Sequence, residues 1–178
     1  MRLAKRENIF TVSAFLTVNI ILDVKICVTE RNKLIVDTWL NYVKDKRTVV
    51  FCASVKHAEQ IAELFKAQGV SAVAVSGSMK TSERNEQIAK FASGELKVLC
   101  ACDLLNEGWD CSQTEVLFMA RPTMSKVLYT QQLGRGMRLS EGKDFLMVFD
   151  FVDNASQYNA PYSMHRLFIA LFRILSIV

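Results

Sequence analysis

The chain is poor in the residues that interrupt regular structure, with 7 glycines and 2 prolines among 178 residues. This scarcity excludes a glycine- or proline-rich linker, and the length is that of one domain, or of one domain with a tail. Hydrophobic residues make up 51% of the chain and charged residues 22%, which excludes a disordered protein and provides enough apolar surface for a core. A formal net charge of +4 permits a nucleic-acid partner without indicating one.

Cysteine does not follow the pattern of a disulfide framework, because the five cysteines are odd in number and irregularly spaced. Cys52 and Cys100 fall in strand-like runs, where a free cysteine behaves as a small buried hydrophobe. Cys100, Cys102 and Cys111 lack zinc-knuckle spacing and have no histidine nearby, so no metal site is predicted. A reducing intracellular compartment is therefore expected, with cytoplasm, nucleoid and mitochondrion as alternatives.

Hydrophobic runs long enough to cross a membrane are also missing. Residues 9–24 and 167–178 are both shorter than the about 20 residues that a spanning helix needs. The first run also contains Asn19 and Asp23, so no membrane partner is predicted.

The middle of the chain alternates β-branched runs with helical periodicity. Strands are predicted at 48–52, 72–75, 97–101, 115–120 and 145–151, with helices near 30–44, 54–68, 81–93 and 125–134. This alternation predicts an α/β fold in which helices flank a mainly parallel sheet in three layers. Ligands of such sheets bind beyond the carboxyl ends of the strands, here at 54–56, 76–78, 102–110 and 121–125.

A glycine-rich phosphate loop is absent from the sequence. The Gly142-Lys143 pair precedes a predicted strand instead of opening a helix, and no dinucleotide fingerprint continues from Gly134. His57 and His165 are far apart in the chain, and each is interpreted as a satisfied or surface side chain. The chain therefore carries no complete active site of its own.

Two arginines near the last predicted helix form an unusual pair. Arg135 and Arg138 stand at i and i+3, on one side of a helical turn. Gly134 and Gly136 keep the backbone thin there, so that another surface can come close. A guanidinium is well suited to neutralise the charge on a phosphoryl group in transfer, although a solvated basic turn has the same pattern.

Small polar and basic residues follow three of the predicted strands. Ser54, Lys56 and Gly77 could hold the phosphates of a nucleic-acid strand without reading bases, although Ser54 also fits a helix cap. Gly108 permits a tight turn, and Asp110 could accept a hydrogen bond from a ribose hydroxyl. An ordinary turn explains the last two residues equally well.

The order of these segments carries a resemblance to a known family. Phe51-Cys52-x-Ser54, Cys102-Asp103, Gly108-Trp109-Asp110, Arg121-Pro122-Thr123-x-Ser125 and Gln131-x-x-Gly-Arg-Gly-x-Arg138 occur in that order, after predicted strands and in the last helix. The run resembles the C-terminal RecA-like half of superfamily 2 helicases, closest to restriction-enzyme motor subunits and related DNA helicases. It implies a RecA-like domain at 29–154, an apolar segment of unclear role at 1–28 and a C-terminal helical tail at 155–178.

The resemblance also implies roles for individual residues in a site shared with a second RecA-like domain, which carries the phosphate loop and a magnesium-binding acidic box. The residues implied in catalysis are Gln131, Arg135 and Arg138. Those implied in binding ATP are Gly108, Asp110 and Gly134. Those implied near the nucleic-acid backbone are Ser54, Lys56, Gly77, Cys102 and Asp103. Cys102 stands where relatives often have threonine, and a thiol is the weaker donor.

The predicted function is that of the second motor domain of an ATP-dependent DNA or RNA helicase. ATP and Mg²⁺ are expected only together with the N-terminal RecA-like domain, so we expect the isolated chain to be inactive. The alternative is a non-catalytic protein- or nucleic-acid-binding module that retains the fold.

Overall fold

The computed structural model describes residues 6–12, 15–22, 28–103, 112–121, 123, 125–138, 140, 143 and 145–153. Seven strands and four helices occur in these ranges. They are β1 (Arg6–Val12), β2 (Phe15–Leu22), α1 (Val28–Tyr42), β3 (Thr48–Phe51), α2 (Val55–Ala67), β4 (Ala72–Ser76), α3 (Thr81–Ser93), β5 (Val98–Cys102), β6 (Val116–Met119), α4 (Lys126–Gly136) and β7 (Leu146–Asp153).

All seven strands lie in one sheet, in the order β1-β2-β7-β6-β3-β5-β4. The five strands from β7 to β4 are parallel to their neighbours, while β1 and β2 pair antiparallel and β2 runs parallel to β7. Every residue of β3, β5 and β6 is buried, as expected of parallel strands with helices on both faces. The predicted RecA-like α/β architecture is confirmed.

Apolar side chains form a core on each face of the sheet. The core against α1 and α2 includes Trp39, Phe65 and Phe118, and the rings of Trp39 and Phe65 meet edge to face at 5.7 Å between centroids. The core against α3 and α4 includes Phe91 and Leu133. Alternate residues of each strand supply the two cores, which makes three layers.

Helix α2 follows directly from the carboxyl end of β3, and its sequence sets both of its ends. The Ser54 hydroxyl accepts a hydrogen bond from the backbone N–H of His57 at 3.1 Å and caps the helix. Ile61 and Phe65 on the apolar face are fully buried. Gly69, with a φ of +74°, ends the segment in the left-handed conformation that glycine favours. The first turn of α2 is therefore fixed at the carboxyl end of the sheet.

Two predicted helix ends are wrong, each for a local reason. Helix α1 ends at Tyr42, before the predicted Lys44, and Asp45 in the following turn has a φ of +70°. Helix α4 continues past Gly134 to Gly136 because its end packs closely on the sheet. The cost of glycine in a helix is smaller than what such packing contributes.

The flanking segments differ in what the structure describes. Residues 6–12 and 15–22 of the apolar segment at 1–28, whose role was left open, form a hairpin beside β7. The predicted tail at 155–178 lies outside the described residues, and the boundaries of 29–154 stay a prediction. Among the helices of the described ranges, none combines the length and apolarity needed to cross a bilayer.

Candidate functional site

The residues that follow four parallel strands meet at one end of the sheet, which we call the carboxyl edge. Phe51 is in register with both Ala101 and Met119, and Ser76 is in register with Cys102. The strand ends of β3, β4, β5 and β6 are therefore level. The residues of the carboxyl edge are Ser54, Lys56, Gly77, Cys102, Asp103 and Arg121. All five residues predicted to lie near nucleic acid are thus brought together, while their role stays a prediction.

The Asp103 carboxylate has two donors at the carboxyl edge. Nη1 of Arg121 donates to its Oδ1 at 2.8 Å, and Sγ of Cys102 donates to its Oδ2 at 3.5 Å. Burial and the nearby charge of Asp103 raise the pKa of Cys102 to about 11, so the thiol keeps its proton at neutral pH. Cys102 is therefore a weak donor here and not a thiolate nucleophile.

The turn after β4 packs against the end of β5. A Cβ on Gly77 would lie 3.3 Å from the backbone oxygen of Asp103, so this approach is tight for any larger residue. The hydroxyls of Ser76 and Ser78 are 2.9 Å apart. Below the turn, the buried guanidinium of Arg84 lies 3.3–3.4 Å from three backbone oxygens of residues 76–79. The position of Gly77 is therefore fixed by α3 and β5 together.

His57 has the structural role that the sequence indicated. The N–H of Ala53 donates to its Nδ1 at 3.2 Å, so Nε2 carries the proton and donates to Oδ1 of Asn32 at 3.0 Å. Burial, with the charge of Arg31, lowers the pKa of His57. A neutral imidazole thus ties the β3–α2 loop to α1.

Helix α4 and the turn that follows it contain the predicted catalytic residues. Gln131 and Arg138 are exposed and Arg135 is half-buried, whereas the neighbouring Gln132 is buried. The helix begins at the Ser125 cap. The exposed side of α4 therefore carries Gln131, the half-buried Arg135 lies one turn further on, and Arg138 follows just after the end of the helix.

Close packing fixes the last turn of α4 to the sheet. A Cβ on Gly136 would lie 2.7 Å from Cδ1 of Leu117 and 3.0 Å from Cδ2 of Leu146. Gly134 is exposed, and no atom lies within 4 Å of an equivalent Cβ. The prediction that both glycines admit another surface is therefore wrong for Gly136, because that side of the helix already faces its own sheet.

Lys143 ties the end of α4 to the loop before β6. Its ammonium donates to the backbone oxygens of Gly136, Arg138 and Ser112, the last two at 3.1 Å. A cation at this place also interacts favourably with the negative end of the helix dipole. Lys143, excluded above as part of a phosphate loop, thus supports the backbone at Gly136 and Arg138, beside the two predicted arginines.

Two predicted ATP-binding residues, Gly108 and Asp110, lie outside the described residues, so their assignment stays a prediction. Cys52, Cys100 and Cys102 are free and buried. Within the described ranges, no group of three or more His, Cys, Asp or Glu side chains is arranged to hold a metal ion. Arg121 was not assigned a role from sequence, where the signals were its place after a strand and its position in the segment Arg121-Pro122-Thr123-x-Ser125.

Five parallel strands between helices, with charged and polar side chains at their carboxyl ends, define a RecA-like α/β domain. The chain belongs to the helicase conserved C-terminal domain family, whose model matches residues 30–140. This confirms the resemblance to superfamily 2 helicases that the motif order predicted.

Relatives in yeasts and a phage are similar over much of this chain. The Saccharomyces cerevisiae protein IRC3 is 34% identical over 130 residues, which cover 71% of this chain and 19% of that protein. Its name describes it as an inferred ATP-dependent helicase. The Schizosaccharomyces pombe protein irc3, named as mitochondrial, is 38% identical over 65% of this chain and 19% of its own length. A 51.5 kDa protein of a Lactococcus phage is 30% identical over 74% of this chain and 29% of its own length. The chain therefore spans less than a third of each of these relatives.

Solved structures agree on the fold. The Escherichia coli DEAD-box protein SrmB, in a complex with RraA, aligns with a TM-score of 0.64 and 18% identity over 81% of this chain and 79% of that chain. The C-terminal domain of the DEAD-box protein Dbp5 aligns with a TM-score of 0.60 and 17% identity, over 84% of this chain and 81% of that one.

Proposed function

We propose that this chain supplies the second motor domain of an ATP-dependent nucleic-acid helicase or translocase. It completes an ATP site with an N-terminal RecA-like domain that carries the phosphate loop and the acidic box. The observation that carries the proposal is the end of α4, where Gly136 and Lys143 fix the backbone while the arginine side chains lie outside the core.

The arginine pair suits the triphosphate of ATP. Arg135 and Arg138 bring two permanent positive charges close together, and Lys143 holds the backbone oxygens of Gly136 and Arg138 beside them. Gly134 offers open space beside them for a partner surface. Gln131, exposed one turn earlier, is placed to contact the same partner. These residues bind and orient the γ-phosphate and neutralise charge that grows there.

ATP would supply the anhydride bond that is hydrolysed, and Mg²⁺ would supply positive charge that offsets the charge of the phosphates. In this chain Arg135, Arg138 and Gly134 would hold the nucleotide, together with Gly108 and Asp110. The Mg²⁺ would be held by the acidic box of the N-terminal domain. Closure of the two domains would assemble the site and exclude water, which couples hydrolysis to the closed state.

The carboxyl edge suits the backbone of a nucleic-acid strand. Ser54 accepts a hydrogen bond as a helix cap, yet its hydroxyl proton remains able to donate to a phosphate oxygen. Lys56 is exposed in the first turn of α2, and the N-terminus of that helix also favours an anion. Contacts of this kind hold phosphates and carry no base information, so DNA and RNA remain alternatives as the track.

A complementation assay tests the shared ATP site. The N-terminal motor domain of a relative is mixed with this chain, and nucleic-acid-stimulated ATP hydrolysis is measured. We expect hydrolysis with the wild-type chain, none above background with either part alone, and a loss of about 10³-fold for Arg138→Ala. Lys126→Ala is the matched control, because it removes an exposed cation at the opposite end of α4.

The assay also separates the alternative. Equal hydrolysis by the wild type, Arg135→Ala and Arg138→Ala would contradict the role of the pair. If the chain bound nucleic acid but N-terminal domains from several relatives failed to restore hydrolysis, the result would favour the non-catalytic module.

A further inference from the structure

The carboxyl edge contains an ion pair whose members come from strands that are not neighbours. Arg121 follows β6 and Asp103 follows β5, while β3 lies between these two strands. Since neighbouring strands are about 4.8 Å apart, the pair crosses about 10 Å of the sheet. It therefore passes the end of β3, where the Ser54 loop begins.

The carboxylate of Asp103 is a poor direct ligand for nucleic acid. It has no proton to donate, and it carries the same sign of charge as a phosphate. Its side chain is nevertheless 68% exposed, beside Ser54 and Lys56, which are suited to phosphates. A carboxylate in this position is explained if it serves a neighbouring cation.

The backbone supports such a role for Asp103. Its φ of +53° is the left-handed conformation, which is rare outside glycine and is tolerated best by asparagine and aspartate. Strained residues of this kind gather at binding and catalytic sites. The Cys102 thiol holds the second oxygen of the same carboxylate, so Asp103 is restrained from two sides.

Arg121 has capacity left after this contact. Asp103 receives one N–H, at 2.8 Å from Nη1, and a guanidinium has five. The Arg121 side chain is 30% exposed, so its other donors are within reach of a ligand at the carboxyl edge. An exposed ion pair contributes little to the stability of a fold, so stability alone explains little of this arrangement.

We infer that Arg121 is a further phosphate-contacting residue of the nucleic-acid site and that Asp103 is its positioning residue. The inference rests on the proposed function, because it assigns a contact within the proposed nucleic-acid surface. It changes the predicted role of Asp103 from contacting the strand to orienting the arginine that does.

The test measures binding of the whole 178-residue chain to short fluorescein-labelled single-stranded DNA and RNA by fluorescence anisotropy over a range of salt concentrations. Arg121→Gln is expected to weaken binding about 10-fold, because a charge-assisted hydrogen bond is lost. The plot of log affinity against log salt has a negative slope, which should become shallower by about 0.7, the value for one phosphate contact on a single strand. Arg121→Lys should recover part of the affinity.

Lys66→Gln is the matched control for charge. Lys66 lies about 15 Å along α2 from Lys56, beyond a Debye length at physiological salt, so its loss should change binding less than about 2-fold. Thermal unfolding of each variant confirms that the fold is kept.

Asp103→Asn distinguishes positioning from simple electrostatics. The change removes one negative charge, so electrostatics alone would strengthen binding to nucleic acid. Asparagine also tolerates the left-handed backbone of this position. If Asp103 positions Arg121, binding instead weakens about 3-fold or more. Asp45→Asn is the control, because Asp45 is an exposed aspartate with a φ of +70° at the opposite edge of the sheet.

The outcomes separate the two proposals. If the wild type binds but Arg121→Gln loses no more affinity than Lys66→Gln, Arg121 does not contact the phosphates. The proposed function is then left in place. Stronger binding by Asp103→Asn than by Asp45→Asn overturns positioning, and identifies Asp103 as a competitor for the arginine. A wild-type chain that binds neither oligonucleotide overturns the nucleic-acid surface itself, and the inference with it.

Discussion

The hydroxyl of Tyr129 donates a 2.6 Å hydrogen bond to Oδ2 of Asp150, and both side chains are at most 2% exposed. Tyr129 lies in the first half of α4 and Asp150 in β7. The bond therefore links the sheet to α4, the helix at whose end the arginine pair lies. A buried carboxylate that loses a donor bears the cost of its desolvation. The bond therefore contributes to the stability with which α4 is held against the sheet.

Tyr129→Phe tests the contribution of this bond. The substitution keeps the ring and removes the donor, so we expect a loss of about 1–3 kcal/mol in the free energy of unfolding. Urea unfolding followed by circular dichroism measures it. A change below about 0.3 kcal/mol would show that the hydroxyl contributes nothing to the seating of α4.

Gly136 and Gly134 predict opposite effects of the same substitution. Gly136→Ala would bring a methyl group to 2.7 Å from Leu117, and overpacking of this kind costs about 1–3 kcal/mol. Gly134→Ala meets open space within the helix and should stabilise the protein by up to about 1 kcal/mol. Paired urea titrations compare the two. If both variants shifted the midpoint in the same direction, the close packing of α4 on the sheet would be incorrect.

His57 predicts a loss of stability on mild acidification. Its pKa in the folded chain is lowered by burial and by Arg31, from about 6.5 in the unfolded chain. Below pH 6.5 the unfolded chain therefore binds the proton first, and stability falls as pH decreases toward the folded pKa. Urea midpoints measured from about pH 7 to pH 5 should fall for the wild type, and much less for His57→Gln. Parallel curves for the two proteins would assign the pH dependence to other groups.

The sequence predicted the five parallel strands, and most clearly β3, β5 and β6, because every residue of these three is buried. Thr48–Phe51 and Val116–Met119 are continuous apolar runs, a pattern that depends on burial alone and not on distant partners. The hairpin of β1 and β2 was missed because its apolar run has no Gly- or Asn-based turn signal between the strands.

The candidate site was predictable only in part, because its contacts depend on strand order. The sequence placed Ser54, Gly77 and Asp103 after strands, and the parallel sheet then brought them to one edge. The link between Arg121 and Asp103 needs β3 to lie between β5 and β6, which no local pattern reveals. For Gly136, likewise, the local pattern predicted a backbone open to another surface, whereas Leu117 and Leu146 of the sheet already occupy that side.

The central place of β3 has a consequence for biosynthesis. Val49 meets its neighbours at Leu99 and Leu117, both made much later by the ribosome. Strand β3 therefore emerges without either neighbour and must wait for the chain to close two large loops. Such non-local pairing makes for slow folding, so the nascent strand has an extended period in which to meet a chaperone or another chain.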